Sequence, residues 1–410
     1  MPDLPSAPVI VADAPGAFPH GVLAERHPAV IRQVRDAFPY GPEVHRALDA
    51  LLESCTHGTI GALPEGAHDA RRWAGWGLDE YTGRSWFEVP WLWAESYFYR
   101  LLLDAVGYFG PGPWQGVDPF RPAKLAELDA PETAEELAAL DALDDLPPDE
   151  RTRALLHGSL WGNRADLGFR LSGDAESEGG DDTDGTRGGG GTDDVPALVA
   201  DDGARLLALL PPDGTGTLCL IADNAGRELV PDLLLLSHLL EHGRIGRAEL
   251  QLKPYPYYVS DATTADLLDA LRRLVSAGGA AAGHGRRLWA ALTDGRVTLR
   301  AHPFSCAPLP YADLPGDLRA ACAAATVTVL KGDLNYRRLV GDRWWPPTTP
   351  FADVTAHFPG PVAALRILKS DVITGLDPRT EAALVAREGQ RWRTGGTRAL
   401  IQLGGPPHRT

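Results

Sequence analysis

Apolar and polar positions follow two different rules along this chain, and the change falls near residue 200. Before it, HPAVIRQVRDAF and GPEVHRALDALLESC carry apolar residues at three- and four-residue spacing, which predicts amphipathic helices. WLWAESYFYRLLLDAVGYF predicts a longer buried helix with Pro90 at its entrance. TAEELAALDALDDL predicts another amphipathic helix, with acidic residues in the first turn where the helix dipole favours them. Trp73, Trp76, Trp86, Trp91 and Trp93 crowd this half, and so dense an aromatic cluster is expected to be core. Glu95 and Arg100, on the aromatic helix, are expected to form a buried polar pair.

After residue 200 short apolar runs alternate with helical patterns. TGTLCLIA, RAELQLKPYPYYVS (one or two strands), RVTLRAHP, ATVTVLKG and PVAALRILKS read as strands. GARLLALL, ELVPDLLLLSHLLEHG, TTADLLDALRRLVSAG, GHGRRLWAALTDG and DLRAACAAA read as helices. This alternation predicts an α/β fold: a Rossmann-like three-layer αβα domain with a mostly parallel sheet, preceded by a mostly helical N-terminal domain. The expected boundaries are a helical domain over 1–171, an acidic Gly/Asp-rich linker over 172–200, the α/β domain over 201–400 and a tail over 401–410. The linker contains SGDAESEGGDDTDGTRGGGGTDD, which has no large apolar residue to bury. Its DDTDGT lacks the downstream Glu of a calcium loop.

Charge and composition narrow the function. The net charge of −16 disfavours nucleic acid and anionic membranes as partners, since both reward positive surfaces. LVPDLLLLSHLLEHG is too short and too polar to cross a bilayer, and the N-terminus lacks a signal peptide's basic start and apolar run. Cys55, Cys219, Cys306 and Cys322 are scattered without a CxxC pair, which suggests reduced thiols in a cytoplasmic protein. Nothing in the pattern specifies an oligomeric state. Of 39 basic residues only four are lysine: Lys124, Lys253, Lys331 and Lys369. In so Arg-rich a chain, the lysines mark places that need a compact ammonium.

In open α/β sheets ligands bind beyond the carboxyl ends of the strands, so residues following each apolar run are expected to converge. Asp223 and Asn224 follow LCLIA, and Asp261 follows PYPYYVS. Lys331, Asp333, Asn335 and Arg337 follow TVTVL, and Arg366, Lys369 and Asp371 lie in or after AALRIL. Asp223, Asn224 and Asp261 offer hard oxygens suited to Mg²⁺ or Mn²⁺. The lysines and arginines suit phosphate oxygens, Lys as a point charge and Arg as a fork. A cation there polarises the phosphorus and lowers the pKa of attacking water, which phosphoryl transfer to water requires. Asp333 is placed to orient a sugar or assist proton transfer. Asp223 taken alone is equally well placed to cap the next helix.

DNAGREL, KPYPYYVSD, KGDLNYRRL followed by GDRWWP, and LRILKSD resemble successive motifs of the metal-dependent damage-control phosphatases. The branch is the one also described as acidic-residue (protein-glutamate) methyltransferases. PWLWAESYFYR, DPF-RPAK and SLWGNRADL extend the resemblance into the helical half. It implies a phosphoric monoester hydrolase supported by Mn²⁺, Co²⁺, Ni²⁺ or Mg²⁺, with no nucleotide cofactor. Its substrates would be small phosphorylated metabolites, sugar phosphates such as fructose 1-phosphate. By the matching motifs Asp223, Asn224 and Asp261 are the metal ligands and, with Asp333, the catalytic set. Lys331, Asn335, Arg337, Arg366 and Lys369 would hold substrate and phosphate, and Glu228 would stand behind a ligand or touch substrate. Asn163 and Asp166, in SLWGNRADL, would close the pocket, unless that turn only docks the helical half. The branch reads Arg-Thr-x-Lys at its last motif; here Arg366-Ile367-Leu368-Lys369 keeps both cations and loses the hydroxyl.

Other readings carry less. A methyltransferase using S-adenosylmethionine wants a Gly-rich turn after its first strand, yet the glycines of DGTGT precede that strand. It also leaves Lys331 and Lys369 nothing to hold. A sugar-phosphate sensor without turnover fits poorly with retention of both carboxylates and both cationic strand ends. His238, Glu241 and His242 match the HxxEH zinc pattern within an ordinary-looking helix. GHGRR lacks the third glycine of a dinucleotide fingerprint. Lys124 either reaches the pocket from the helical side or sits on the surface.

Overall fold

Seven strands form one sheet in the order β1-β7-β6-β5-β2-β3-β4 in a computed structural model that describes residues 7–162 and 198–406. They are β1 (Leu198–Asp201), β2 (Thr217–Ile221), β3 (Arg247–Leu252), β4 (Val297–Ala301), β5 (Val327–Lys331), β6 (Val362–Ile367) and β7 (Ala399–Gly404). The five strands β2 to β6 are mutually parallel; β7 runs antiparallel to β6, and β1 parallel to β7.

Strict alternation within the strands assigns each side chain to a face. Leu218 and Leu220 of β2 join one core, with Val327 and Val329 of β5. Cys219 and Ile221 join the other, with Leu330 of β5. The helices that matter here are α1 (Trp91–Ala105), α2 (Arg121–Leu128), α3 (Pro148–Trp161), α4 (Leu229–Glu241), α5 (Thr264–Ser276), α6 (Gly279–Thr293) and α7 (Gly332–Val340). Residues of α3, α4, α5 and α6 pack on the first face, and those of α7 on the second. Both faces are covered, so the strands are nearly all apolar, as a parallel sheet requires.

The N-terminal segment has its own core. Trp73, Trp86, Trp93, Tyr97 and Phe98 are buried together, as the aromatic cluster predicts. Trp91 differs: it joins the second face of the sheet. There the Arg337 guanidinium of α7 lies 3.4 Å above its ring. Arg337 also donates to Asp342 at 2.7 and 3.1 Å and to Glu95 of α1 at 2.9 Å. Asp342 in turn accepts from the Leu92 backbone N–H at 3.1 Å. This buried cluster clamps the helical segment to the sheet.

Several expectations change. Glu95 and Arg100 are both buried, but they do not pair with each other: Arg100 is held by Asp69 and Asp104, while Glu95 serves Arg337. Of the one or two strands expected in RAELQLKPYPYYVS, one forms, because Pro254 and Pro256 remove the ladder donors after Leu252. β1 begins inside the stretch assigned to the linker, and β7 runs into the stretch assigned to the tail. Their four and six residues are too short for periodicity to separate from loop. The acidic run 172–194 lies outside the described residues.

β7 is a central element of the sheet rather than a tail, since it separates β1 from β6 and its Leu400 and Ile401 are fully buried. Each such side chain contributes about 1.5–3 kcal/mol, against a typical net stability of ~5–15 kcal/mol. Deleting residues 399–410 is therefore expected to abolish cooperative unfolding. Circular dichroism on heating checks this; a sharp transition close to that of the full chain would contradict the placement of β7.

Candidate active site

The order of the central strands reverses between β2 and β5. α4 follows β2 onto one face and α7 follows β5 onto the other, so the two connections diverge and open a crevice at the strands' carboxyl ends. A cleft of about 380 Å³ lies there, lined by Asp223, Asn224, Glu228, Lys331, Gly332, Asp333 and Lys369. Ser159, Leu160 and Gly162 from the end of α3 form one wall, with Asp232, Leu365 and Ile367.

Asp223 does not cap α4. A 3₁₀ turn, Gly226–Glu228, intervenes, and the helix starts at Leu229. Among the described residues the Asp223 carboxylate accepts no hydrogen bond and makes no ion pair. It packs instead against Gly332, whose φ of +81° is in the left-handed region and whose missing Cβ would lie 1.7 Å from Oδ2. No side chain fits there, so glycine is dictated both by backbone and by space. Burial, then the Asp261 and Glu228 charges, push the Asp223 carboxyl well above its ordinary range, against Lys253 and Lys369. Asn224 accepts from the Ser260 hydroxyl at 2.7 Å and donates to Glu228 at 2.7 Å.

Asp261 comes to the same place on a tethered loop. Asn224 and Asp261 form an antiparallel bridge, and the Ala262 N–H donates to the Asp223 carbonyl at 2.8 Å. The Asp261 carboxylate accepts from the Tyr258 N–H at 3.0 Å, with Lys253 at 3.9 Å. Lys124 is neither a pocket residue nor a surface one. It is buried and donates to the Asp261 carbonyl (2.8 Å), Asp118 (2.8 Å) and Asp266 (3.1 Å). Asp266 also closes a capping box with Thr263 at the start of α5. The loop is thus braced from α2 and α5 together.

The cations divide into free and committed. Lys369 is half exposed, and its one ion pair among the described residues is with Glu228 at 3.4 Å. Burial works against its ammonium, but Glu228, Asp223 and Asp333 raise its pKa overall. Lys331 lines the cleft yet contacts Asp232 (2.8 Å), the Ser159 hydroxyl (2.9 Å) and the Ser159 carbonyl. Arg366, fully buried, donates to Asp333 at 2.8 Å, to Ser370 and to the Val372 carbonyl. Burial alone would raise the Asp333 carboxyl, but Arg366, Arg337 and the Ser370 hydroxyl bring it below its ordinary value. Ile367, where the motif has Thr, presents an apolar wall.

Two expected contacts are held away from the cleft. Arg337 is spent in the clamp on Trp91, Glu95 and Asp342. Asn335 is fully buried; it donates to the carbonyls of Ala222 and Lys331 and accepts from the Tyr311 hydroxyl, which ties the ends of β2 and β5 together. Asn163 and Asp166 lie outside the described residues. The sequence reading missed Ser159, Asp232 and the brace formed by Lys124. Only the scarcity of lysine pointed towards the last. In the HxxEH segment, His238 shares a hydrogen bond with Thr152 and Glu241 pairs with Arg287. Burial first, then neighbouring cations and imidazoles, lower His238 to about 3. Among the described residues no three His, Cys, Asp or Glu side chains cluster as a metal site, and no helix is long and apolar enough to cross a membrane.

Comparison with known proteins agrees with the motifs. The sequence profile of the damage-control phosphatase ARMT1-like domain matches residues 22–384. The zebrafish (Danio rerio) damage-control phosphatase ARMT1 is 27% identical over 95% of this chain and 95% of its own. The rat (Rattus norvegicus) protein of the same name is 31% identical over 80% of this chain and 77% of its own. A crystal structure of a DUF89 family protein from Pyrococcus horikoshii overlaps 87% of this chain and 91% of its own, at a TM-score of 0.45 and 16% identity. With a profile match running from the helical segment through the sheet, the chain belongs to the damage-control phosphatase ARMT1-like family.

Proposed function

We propose that this protein is a divalent-metal-dependent phosphatase acting on phosphate monoesters of small metabolites, with sugar phosphates such as fructose 1-phosphate as the expected class. The observation that carries the reading is the Asp223 carboxylate: unpartnered among the described residues, beside Asp261, and in a cleft that also presents Lys369. A carboxylate in that position is costly unless a cation neutralises it. The donor set fits such an ion, since Asp223, the Asn224 amide oxygen and Asp261 are all hard oxygens on two bridged segments. Mn²⁺, Co²⁺, Ni²⁺ and Mg²⁺ all suit it.

The chain's own groups then have distinct tasks. Asp223, Asn224 and Asp261 would hold the cation, which when bound supplies charge to phosphoryl oxygens and acidifies water. Lys369 meets the phosphate as a mobile point charge. Glu228 holds both Asn224 and Lys369, at 2.7 and 3.4 Å, and so couples the metal side to the phosphate side. Asp333 stays ionised beside Arg366 and accepts hydrogen bonds from substrate hydroxyls. Ile367 and Leu365 border the cleft and limit water around the reacting group. Arg366 and Asn335 act by fixing the loops on which these groups stand.

Three outcomes follow. With metal-stripped protein and each metal added back, phosphate release from a sugar-phosphate panel is expected in the wild type. Asp223→Ala and Asp261→Ala should each lose more than about a hundredfold, the upper range for removing even a supporting group, with circular dichroism unchanged. Full activity in either folded variant would remove the metal assignment. In a thermal melt, metal at about a hundred times its Kd should stabilise the wild type by ~2.7 kcal/mol and leave Asp223→Ala unmoved. Gly332→Ala alters no ligand, but its methyl would displace Asp223, so metal stabilisation and turnover should fall together. Normal metal affinity in that variant would show that Asp223 has another use.

A further inference from the structure

We propose that Asp232 is a positioning residue that limits how tightly the cleft holds phosphate, by giving Lys331 a permanent counter-charge. This rests on the reading above, in which the cleft takes a phosphoryl group. Asp232 lies in the first turn of α4 and is 3% exposed. Its Oδ1 is 2.8 Å from the Lys331 ammonium and accepts from the Ser159 hydroxyl at 2.6 Å. Lys331 also donates to that hydroxyl at 2.9 Å and to the Ser159 carbonyl. An ammonium has three protons, and here all three have acceptors on the protein. Lys369, in the same cleft, has a single, longer contact among the described residues and is half exposed. Among the described residues the cleft therefore holds one available cation and one compensated cation.

Stability alone does not account for the pair. Buried ion pairs are often no better than apolar residues of the same volume. Directly behind this one lies an apolar cavity lined by Leu156, Leu235, Leu239 and Val329, into which an apolar pair would extend naturally. What the pair changes is the charge at the cleft floor. Without Asp232, a bound phosphate would face Lys331, Lys369 and a divalent cation in a partly desolvated site, where each unit charge counts for far more than in water. Binding that strong applies to product phosphate as well as to the ester, and it would slow release without lowering the barrier. Asp232 cancels one positive charge, and Ser159 holds the pair in register with the wall made by α3.

The test uses the full chain with saturating Mn²⁺. Inorganic phosphate is measured as an inhibitor of ester hydrolysis and, directly, by calorimetric titration. Asp232→Asn is expected to bind phosphate about tenfold more tightly than wild type, the scale of one uncompensated charge nearby, with kcat lowered as release slows. Asp232→Glu keeps the charge and should stay within about threefold of wild type by the same electrostatics. A purely structural role would lower the melting temperature and leave phosphate affinity alone. Equal or weaker phosphate binding by folded Asp232→Asn, or a Glu variant that behaves like Asn, overturns the proposal. Should the Asn variant not fold, Asp232→Ser is judged by the same outcomes. If the wild type neither releases nor binds phosphate, the phosphatase reading itself is what fails.

Discussion

The structure turns on the divergence of two connections at one point in the sheet. The chain leaves β2 towards one face and β5 towards the other, and among the described residues no side chain fills the gap between them. Gly332 lets the two exits approach so closely that Asp223 touches its backbone. Asn335 then bonds across to the Ala222 carbonyl, so the distance between the strand ends is set by the buried side of the junction. Everything on the open side inherits that distance, from the Asp223–Asp261 pair to the position of Lys369.

Such a junction concentrates charge where solvation is poor, and the protein answers with pairing. Arg366 with Asp333, Arg337 with Glu95 and Asp342, Lys331 with Asp232, and Lys124 with Asp118 and Asp266 are all close pairs. Removing one partner of a buried pair leaves the other stranded, which is why such groups hold geometry even where they add little net stability. Asp223 is the exception among its neighbours. On the reading proposed above, this imbalance is what a bound cation would offset.

Much of this was legible from sequence, by one rule: polar residues after apolar runs gather at strand ends. The rule located Asp223, Asn224, Lys331, Asp333 and Lys369, all of which line the cleft, and Asp261, which is bridged to it. It overreached at Arg337, because nearness in sequence to Asp333 says nothing of direction once α7 begins and carries Arg337 onto Trp91. It could not see Asp232, which reads as an ordinary acidic residue in a helix's first turn. Nor could it see Ser159, which is supplied by a helix from the other half of the chain. β7 was lost for a different reason. A six-residue run at the chain's end carries no periodicity strong enough to announce an antiparallel strand.

The choice between lysine and arginine follows the same geometry. Where the partners lie in one plane, as for Asp342 around Arg337, the chain uses a guanidinium, and an aromatic face covers it: Trp91 for Arg337, Tyr336 for Arg366. Where three acceptors converge from separate elements, it uses an ammonium. Lys124 meets three oxygens from residues 118, 261 and 266, and Lys331 meets three from α3 and α4. A planar fork cannot satisfy three converging acceptors from one point, whereas a tetrahedral nitrogen does so. Lys253 is buried in the same neighbourhood beside Asp261, and Lys369 stands at its edge. In a chain that otherwise prefers arginine, lysine stands where acceptors converge or, as Lys369, half exposed at the cleft's edge, and both occur at this end of the sheet.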